Sequence, residues 1–508
     1  MASGKSATGR ILARTIGRPF VDLDTEIAAA TGKSIAEIFA QEGEPAFRAL
    51  ERAALRGALQ LQQPAVIAPG GGALVDEENF RLANRHDLIL INTELMELIA
   101  RLRSAKLRGE RPLAASSRAL RSLWRQRQPA YARLRRSVDG GLPVAGVALQ
   151  CLWAQAQSDN PFPPAHRLPG LHPAELGIGG TVAAMKRIIR GAKSRPVLVT
   201  HPQLLATLPG ALRDQLRIIV FNPGEKHKNP LELIRVWNQL AALGVDRATP
   251  VIGLGGGVIG DLAGFAAATY RRGVPFYLFP TTLTAMVDAA LGGKSGVELK
   301  AGKNLAGIFA PPKQTFIDTG WLITLPEREL RSGLAELIKT AFLISPAAVT
   351  ALERDLPALL DGDLGALTRQ VEIAARYKLR LCAKDPRERG ERIFLNLGHT
   401  LAHALEKQFR YEKITHGEAV AVGLVEEHLA AAKLGLLPKR DAESIAERME
   451  TLLQAAGLPT RLRKIGVKAH AIMLLRAAIK SDKKSAAGVL HWPLLRSPGK
   501  TLVVEWRG

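Results

Sequence analysis

The segment NLGHTLAHALE places His399 and His403 four residues apart, on one face of a helix, and His416 follows in ITHGEAV. In GLAELIKT, Glu336 and Lys339 sit one turn apart on another helix. A carboxylate and two imidazoles, with positions left open for substrate, form a typical catalytic zinc set. Taken singly, each of these histidines reads more readily as a packed or surface residue; the combination points to a metal. Further upstream, GLGGGVIGD (253–261) follows an apolar run and supplies a turn that lets the backbone approach a pyrophosphate. Its spacing is not G-x-G-x-x-G, and a purely structural tight turn explains it equally well.

A second set of such residues lies at the front. Gly4-Lys5-Ser6 supplies the second half of the phosphate loop GxxxxGK[ST]. Amides leading into a helix N-terminus cradle phosphate oxygens, a lysine adds a point charge, and a serine hydroxyl binds Mg²⁺. VDLDTEI sets Asp22 and Asp24 two apart, so both project the same way from a strand end. FRALE puts Arg48 and Glu51 on one helical face, and APGGGAL puts Gly70, Gly71 and Gly72 directly after a strand. An i,i+3 surface pair and turn acids are the structural alternatives for these residues.

The elements that must hold these groups follow from pattern. Residues 11–137 alternate helical stretches (EIAAATGKSIAEIFAQEG, FRALERAALRGALQL) with short apolar runs (65–74, 86–93), which implies a parallel sheet with helices on both faces. Turn-rich sequence between Asp139 and Gly170 marks a linker. A second α/β pattern starts near Leu171, with strands expected at 195–201, 216–221, before Gly255 and at 274–280. From 325 to 508 the spacing is that of a helical domain. The expected domains are therefore 1–138, a linker 139–170, an α/β nucleotide-binding domain 171–324 and a helical metal- and substrate-binding domain 325–508.

At 508 residues the chain calls for two or more domains. Two cysteines, Cys151 and Cys382, exclude a disulfide framework and fit a reducing compartment. No basic segment leads an apolar run at the N-terminus, and the most apolar stretch is glycine-rich and carries Asp261. A cytoplasmic enzyme with no membrane contact is expected. The net charge is +23, and residues 101–136 hold twelve Lys/Arg against Glu110 alone. A nucleic-acid surface would explain that. No helix-turn-helix, zinc finger or aromatic-interleaved basic motif accompanies it, so arginines serving anionic small molecules and solvated helix faces are the expected use.

With GKS, D-x-D, F-R-x-x-E, the triple glycine, Arg111 in ERPL and Arg127 in RQPAY in that order, the first 140 residues resemble shikimate kinase. The resemblance implies ATP and Mg²⁺ at Lys5 and Ser6, with Asp22 near the metal. Asp24, Arg48, Gly70, Gly71 and Gly72 would hold shikimate, Arg127 would pair with its carboxylate, and Arg111 would close over the phosphates. Asp24 would orient the attacking hydroxyl. The family also carries a β-strand and a fuller loop ahead of Gly4, so a start assigned too late is the expectation.

From about 171 to 508 the chain resembles 3-dehydroquinate synthase. The motifs include PGEKHK, GGGVIGDLAGF, TYRRG, FPTTLTAMVDAALGGKSGV, GKNLAG, TLPERE, SGLAELIKT, LNLGHTLAHALE, THGEAVAVG and SDKK. The resemblance implies an α/β NAD-binding domain followed by an all-helical metal-binding one. Glu336, His399 and His416 would bind zinc or cobalt. NAD would meet Glu225, Lys228, Gly257, Val258, Ile259, Gly260, Asp261, Thr281, Thr282, Lys294, Lys303 and Thr324. The phosphorylated heptulosonate would meet Arg272, Asp288, Lys294, Asn304, Lys339, Lys378, Arg392, Asn396, His403 and Lys483, with Lys484 the competing neighbour. His201 stands where relatives often carry Asp or Asn near the adenosine ribose. The implied chemistry is transient oxidation beside the metal, loss of phosphate, return of the hydride and ring closure, with His403 as proton shuttle.

The sequence thus points to a fusion of two enzymes acting on small molecules, with a homodimer through the synthase half as the family expectation. Three alternatives are a synthase carrying a non-catalytic N-terminal module, a non-enzymatic nucleic-acid binder, and a different sugar-phosphate cyclase.

Overall fold

The computed structural model describes residues 2–103, 117–156, 164–222, 224–299, 302–410, 412–481 and 489–507. The chain divides into two compact units, one of Met1–Pro163 with Ala206–Gly210, the other of Pro164–Leu205 with Ala211–Gly508.

In the first unit, short parallel strands pair two by two: Phe20–Asp22 with Val66–Ala68, and Leu90–Asn92 with Ser137–Asp139. One continuous sheet was expected; among the described residues the strands form two separate pairs. A cavity of about 960 Å³ is lined by residues of both inner strands, 65–68 and 88–92, and by Thr8, Gly9 and Leu12. The single helix expected from EIAAATGKSIAEIFAQEG is two, Leu23–Thr31 and Ile35–Gln41. Gly32 ends the first in a left-handed conformation (φ 67°), and Ser34 with Glu37 forms a capping box that starts the second.

The expected linker is a second correction. Val144–Ala156 is a helix, and eight of its thirteen residues are buried, among them Val147, Leu149, Leu152 and Trp153. The flanking turn residues masked an apolar run that has to be covered.

The second unit is built on a seven-stranded sheet in the order His166–Leu168, Ala174–Gly177, Gln314–Asp318, Phe276–Pro280, Val251–Gly255, Val197–Thr200 and Arg217–Val220. The first strand pairs antiparallel and the rest are parallel. Val197, Val199, Val251, Leu278 and Phe276 are buried from both faces, as a sheet covered by helices requires. Each strand end leads outward at the carboxyl edge, where open α/β sheets bind ligands. His201, Gly256, Thr281 and Thr282 all follow strands on that edge.

The remainder is helical from Glu327 to Ser481, then ends in an antiparallel hairpin of Leu490–Ser497 and Lys500–Trp506. An all-helical domain was expected here. The tract LHWPLLRS-PG-KTLVVEW has β-branched and aromatic residues about a Pro-Gly turn, and it buries Trp492, Leu494 and Leu495 completely. Among the described residues no helix is long and apolar enough to cross a membrane.

Candidate functional site

Three helices of the second unit converge because glycine allows it. At Gly417 a Cβ would overlap the backbone carbonyl of Ser332, and at Gly423 one would overlap the carbonyl of Gly398. The helix His416–Lys433 therefore lies tight against both Glu327–Ile344 and the start of His399–Gln408. That approach brings Glu336, His399 and His416 together, with ligand atoms all within 4.8 Å of one another.

Glu336 Oε1 lies 3.5 Å from His399 Nε2 and 3.3 Å from His416 Nε2. The outer ring nitrogens are committed elsewhere: His399 Nδ1 faces the Leu397 carbonyl at 3.0 Å, and His416 Nδ1 faces Glu406 at 3.2 Å. Both rings thus present Nε2 inward, the arrangement that metal-binding histidines need. Burial works against charge on Glu336, yet Lys339 and the two histidines hold it well below the ordinary carboxylate range. Burial and the Lys339 ammonium push His399 down. Burial also opposes charge on His416, but Glu336 and Glu406 outweigh it and push it up to about 10. Glu336 Oε2 lies 2.6 Å from Lys339 Nζ, and Oε1 faces both imidazoles. A buried carboxylate facing two inward imidazole nitrogens fits a divalent cation.

A cluster of cations adjoins it. Lys339 Nζ, fully buried, also donates to the Leu395 carbonyl at 2.7 Å. Lys378 forms an ion pair with Asp288, and Arg392 donates to the carbonyls of Gly292 and Pro386 at 2.7 and 2.9 Å. Desolvation works against charge on the half-buried Asp288, but Lys378 keeps its carboxyl below the usual range. Lys294, whose side chain is half exposed, is pushed down to about 8, by partial desolvation first and then by Arg392 and Lys378. Its ammonium pairs with Glu388, whose other role is to accept from Asn396 Nδ2 at 2.7 Å. Glu388 is a residue the sequence reading missed; it holds a left-handed backbone (φ 54°) unusual for glutamate. His403 lies edge-on to His399, with ring centres 5.6 Å apart.

On the sheet's carboxyl edge, Lys228 Nζ lies 2.6 Å from Asp261 and 3.9 Å from Glu225. Asp261 sits just past the first turn of the helix Gly257–Thr269, which has no side-chain cap of its own. With Gly257, Val258, Ile259 and Gly260 it presents an open helix N-terminus, which suits a pyrophosphate. The buried Nδ1 of His201 has no hydrogen-bond partner. Thr282 caps the next short helix, the Thr281 amide bonds to Gly255, and Thr324 Oγ1 bonds back to the Trp321 carbonyl. Arg272 is exposed, with a left-handed backbone (φ 65°), and the structure does not join it to the cation cluster. Lys303 and Asn304 lie in the strand Gly302–Phe309, their side chains outside the described residues. Arg111 and Lys483 lie outside them altogether.

In the first unit a cavity of about 940 Å³ gathers Gly4, Lys5, Ser6, Asp22, Asp24, Arg48, Glu51, Gly70, Gly71, Gly72 and Arg127. Lys5 opens a helix whose N-cap, Gly4, is left-handed (φ 85°). Asp22 caps the helix Leu23–Thr31 by accepting the Asp24 amide at 3.2 Å. Arg48 Nη1 and Glu51 Oε2 pair at 2.6 Å, with Glu51 almost wholly buried. Two of the three glycines lie hard against these neighbours. A Cβ on Gly70 would overlap Glu51 Oε1, and one on Gly72 would lie 2.7 Å from Arg48 Nη2 and 3.0 Å from Arg127 Nη2.

Fold and centre together define a parallel α/β sheet of the nucleotide-binding kind followed by a helical domain that gathers one carboxylate and two imidazoles. Residues 218–332 match the family model described as 3-dehydroquinate synthase N-terminal, and 333–485 its C-terminal counterpart. Residues 1–145 match the model described as shikimate kinase. The 3-dehydroquinate synthase of Pelobacter propionicus is 39% identical over 336 residues, covering 64% of this chain and 91% of that protein. That of Xanthomonas campestris is 40% identical over 362 residues, covering 68% and 96%. The solved structure of 2-epi-5-epi-valiolone synthase from Streptomyces hygroscopicus, with NAD⁺ and Zn²⁺ bound, is 29% identical with a TM-score of 0.54, covering 62% and 88%. A 2-deoxy-scyllo-inosose synthase at 24% identity and a TM-score of 0.59, covering 67% and 96%, shares the fold. The chain belongs to the 3-dehydroquinate synthase family and carries a shikimate kinase domain at its N-terminus, which makes it a bifunctional enzyme.

Proposed function

We propose that Glu336, His399 and His416 hold a divalent metal, Zn²⁺ or Co²⁺, and that the sheet's carboxyl edge holds NAD. When bound, the metal would polarise the substrate oxygen undergoing oxidation and NAD would accept and return a hydride. The chain's own residues do the rest. Lys378, Arg392 and Lys294 neutralise the phosphate of a phosphorylated heptulosonate as it departs, and Asn396 donates a hydrogen bond. Asp288 fixes the Lys378 ammonium, and Lys339 holds the ligand carboxylate in its charged form. His403, beside the metal ligands, moves the proton. The observation that carries this reading is the inward-facing set of one carboxylate and two imidazoles, each ring fixed through Nδ1.

In the first unit, Lys5 and Ser6 serve ATP and Mg²⁺ with Asp22 nearby, and Asp24, Arg48, Gly70, Gly71, Gly72 and Arg127 receive shikimate. The supporting observation is that a single cavity gathers them. Small molecules are the proposed partners, without nucleic acid or membrane. A homodimer through the synthase half and a cytoplasmic location complete the proposal; both cysteines are buried and unpaired, which fits a reducing compartment.

The test is separation of the activities. Asp24→Asn should abolish shikimate-dependent ADP formation and leave phosphate release from the heptulosonate phosphate intact; Lys378→Met should do the reverse. Loss of both activities in either variant, with the fold retained, would contradict the assignment.

A further inference from the structure

The helix His399–Gln408 starts at Gly398 (φ 75°), and no side chain of its own first turn caps it. Its leading amides would be left as orphan donors inside the protein. They are satisfied from another helix. Glu427, completely buried on His416–Lys433, accepts the Leu401 amide at 2.7 Å on Oε1. Burial pushes Glu427 up to about 7; in its charged form it also opposes the positive end of the helix dipole. Its second oxygen is held by the C-terminal hairpin: Trp492 Nε1, equally buried, donates to Glu427 Oε2 at 2.7 Å. The neighbouring His428 repeats the link, donating from Nδ1 to the Leu424 carbonyl at 2.7 Å and accepting the Leu495 amide at Nε2 at 3.2 Å. The hairpin at 490–506 lies beyond the residues 333–485 that match the family model.

We propose that Glu427 is a positioning residue for the metal centre: it caps the His399 helix from outside and is itself oriented by Trp492, so the C-terminal hairpin sets metal affinity. The proposal rests on the reading that Glu336, His399 and His416 hold the metal. The capped Leu401 amide lies two residues past His399, and the ring that must point Nε2 at Glu336 is carried by the turn it anchors. A metal ligand's supporting contacts typically matter by 10- to 100-fold in affinity.

The two contacts to Glu427 can be separated chemically. In Glu427→Gln one amide oxygen still accepts the Leu401 N–H, but the amide NH₂ then faces the indole N–H, donor against donor. Trp492→Phe removes that donor.

The experiment is competition for Zn²⁺ against a chromophoric chelator on the full 508-residue chain, with thermal unfolding recorded alongside. Glu427→Gln is expected to weaken zinc about tenfold and Trp492→Phe about threefold. The double variant is expected to bind no worse than Glu427→Gln alone, because the donor conflict is gone. Zinc affinity within twofold of wild type in both single variants would overturn the proposal, since a merely structural cap lowers the melting point without moving zinc affinity. Multiplying losses in the double variant would overturn the link to the hairpin. If Glu427→Gln does not fold, Trp492→Phe decides the matter on the same criterion. Wild-type protein that binds no zinc, or Glu336→Gln that binds it as well as wild type, would overturn the metal reading itself.

Discussion

Glu406 Oε1 lies 3.2 Å from His416 Nδ1, and that contact fixes which nitrogen of the ring faces Glu336. Without it the ring can turn or change tautomer, and the metal site loses a ligand for part of the time. Glu406→Ala is expected to weaken zinc 10- to 100-fold, and Glu406→Gln, which keeps an acceptor, less. Isothermal titration of stripped protein would measure this. Equal affinity in both variants would mean that the contact does not orient the ring.

Lys294 carries the clearest pH signature. Partial desolvation, Arg392 and Lys378 push it down to about 8, while the unfolded chain keeps it near its ordinary 10.5. Between those values the unfolded state binds more protons, so this group makes stability rise with pH across about 8 to 10.5. Substrate binding should behave oppositely. As pH rises through about 8 the free enzyme loses the cation that meets the anionic substrate, and kcat/KM should fall. Glu388, paired with the same ammonium, favours its charged form. Glu388→Gln should therefore move the alkaline limb to lower pH. A limb that stays in place in this variant and in Lys294→Arg would assign the titration to another group.

Gly70→Ala probes the first unit. The added methyl meets Glu51, which Arg48 holds and burial locks in place. Overpacking of this kind costs about 1–3 kcal/mol. Shikimate KM should rise while synthase activity is unchanged; equal shikimate kinetics would show that the loop has room to move.

Much of both sites was legible because their residues sit in contiguous motifs. HTLAHALE puts His399, His403 and Glu406 on one helical face, so even the missed Glu406 was marked by its spacing of seven from His399. The α/β sheet of the second unit was legible as apolar runs, since strands such as Val197–Thr200 and Val251–Gly255 are buried on both faces. Glu388 was not, because its partner Lys294 is 94 positions away and one charge in DPRERGER looks like another. Glu427 was hidden for the same reason; EEH on a helix reads as solvated until Gly423 is seen to press that helix against Gly398. Val144–Ala156 was lost between turn residues that flank, but do not interrupt, a buried helix.

If Glu336, His399 and His416 form one metal centre, the synthase reaction depends on it. The most direct measurement is synthase activity of chelator-stripped protein before and after Zn²⁺ is added back, beside Glu336→Gln. Activity should be lost on stripping and recovered with about one equivalent of zinc per chain, with no recovery in the variant. Undiminished activity in fully stripped wild-type protein would contradict this dependence.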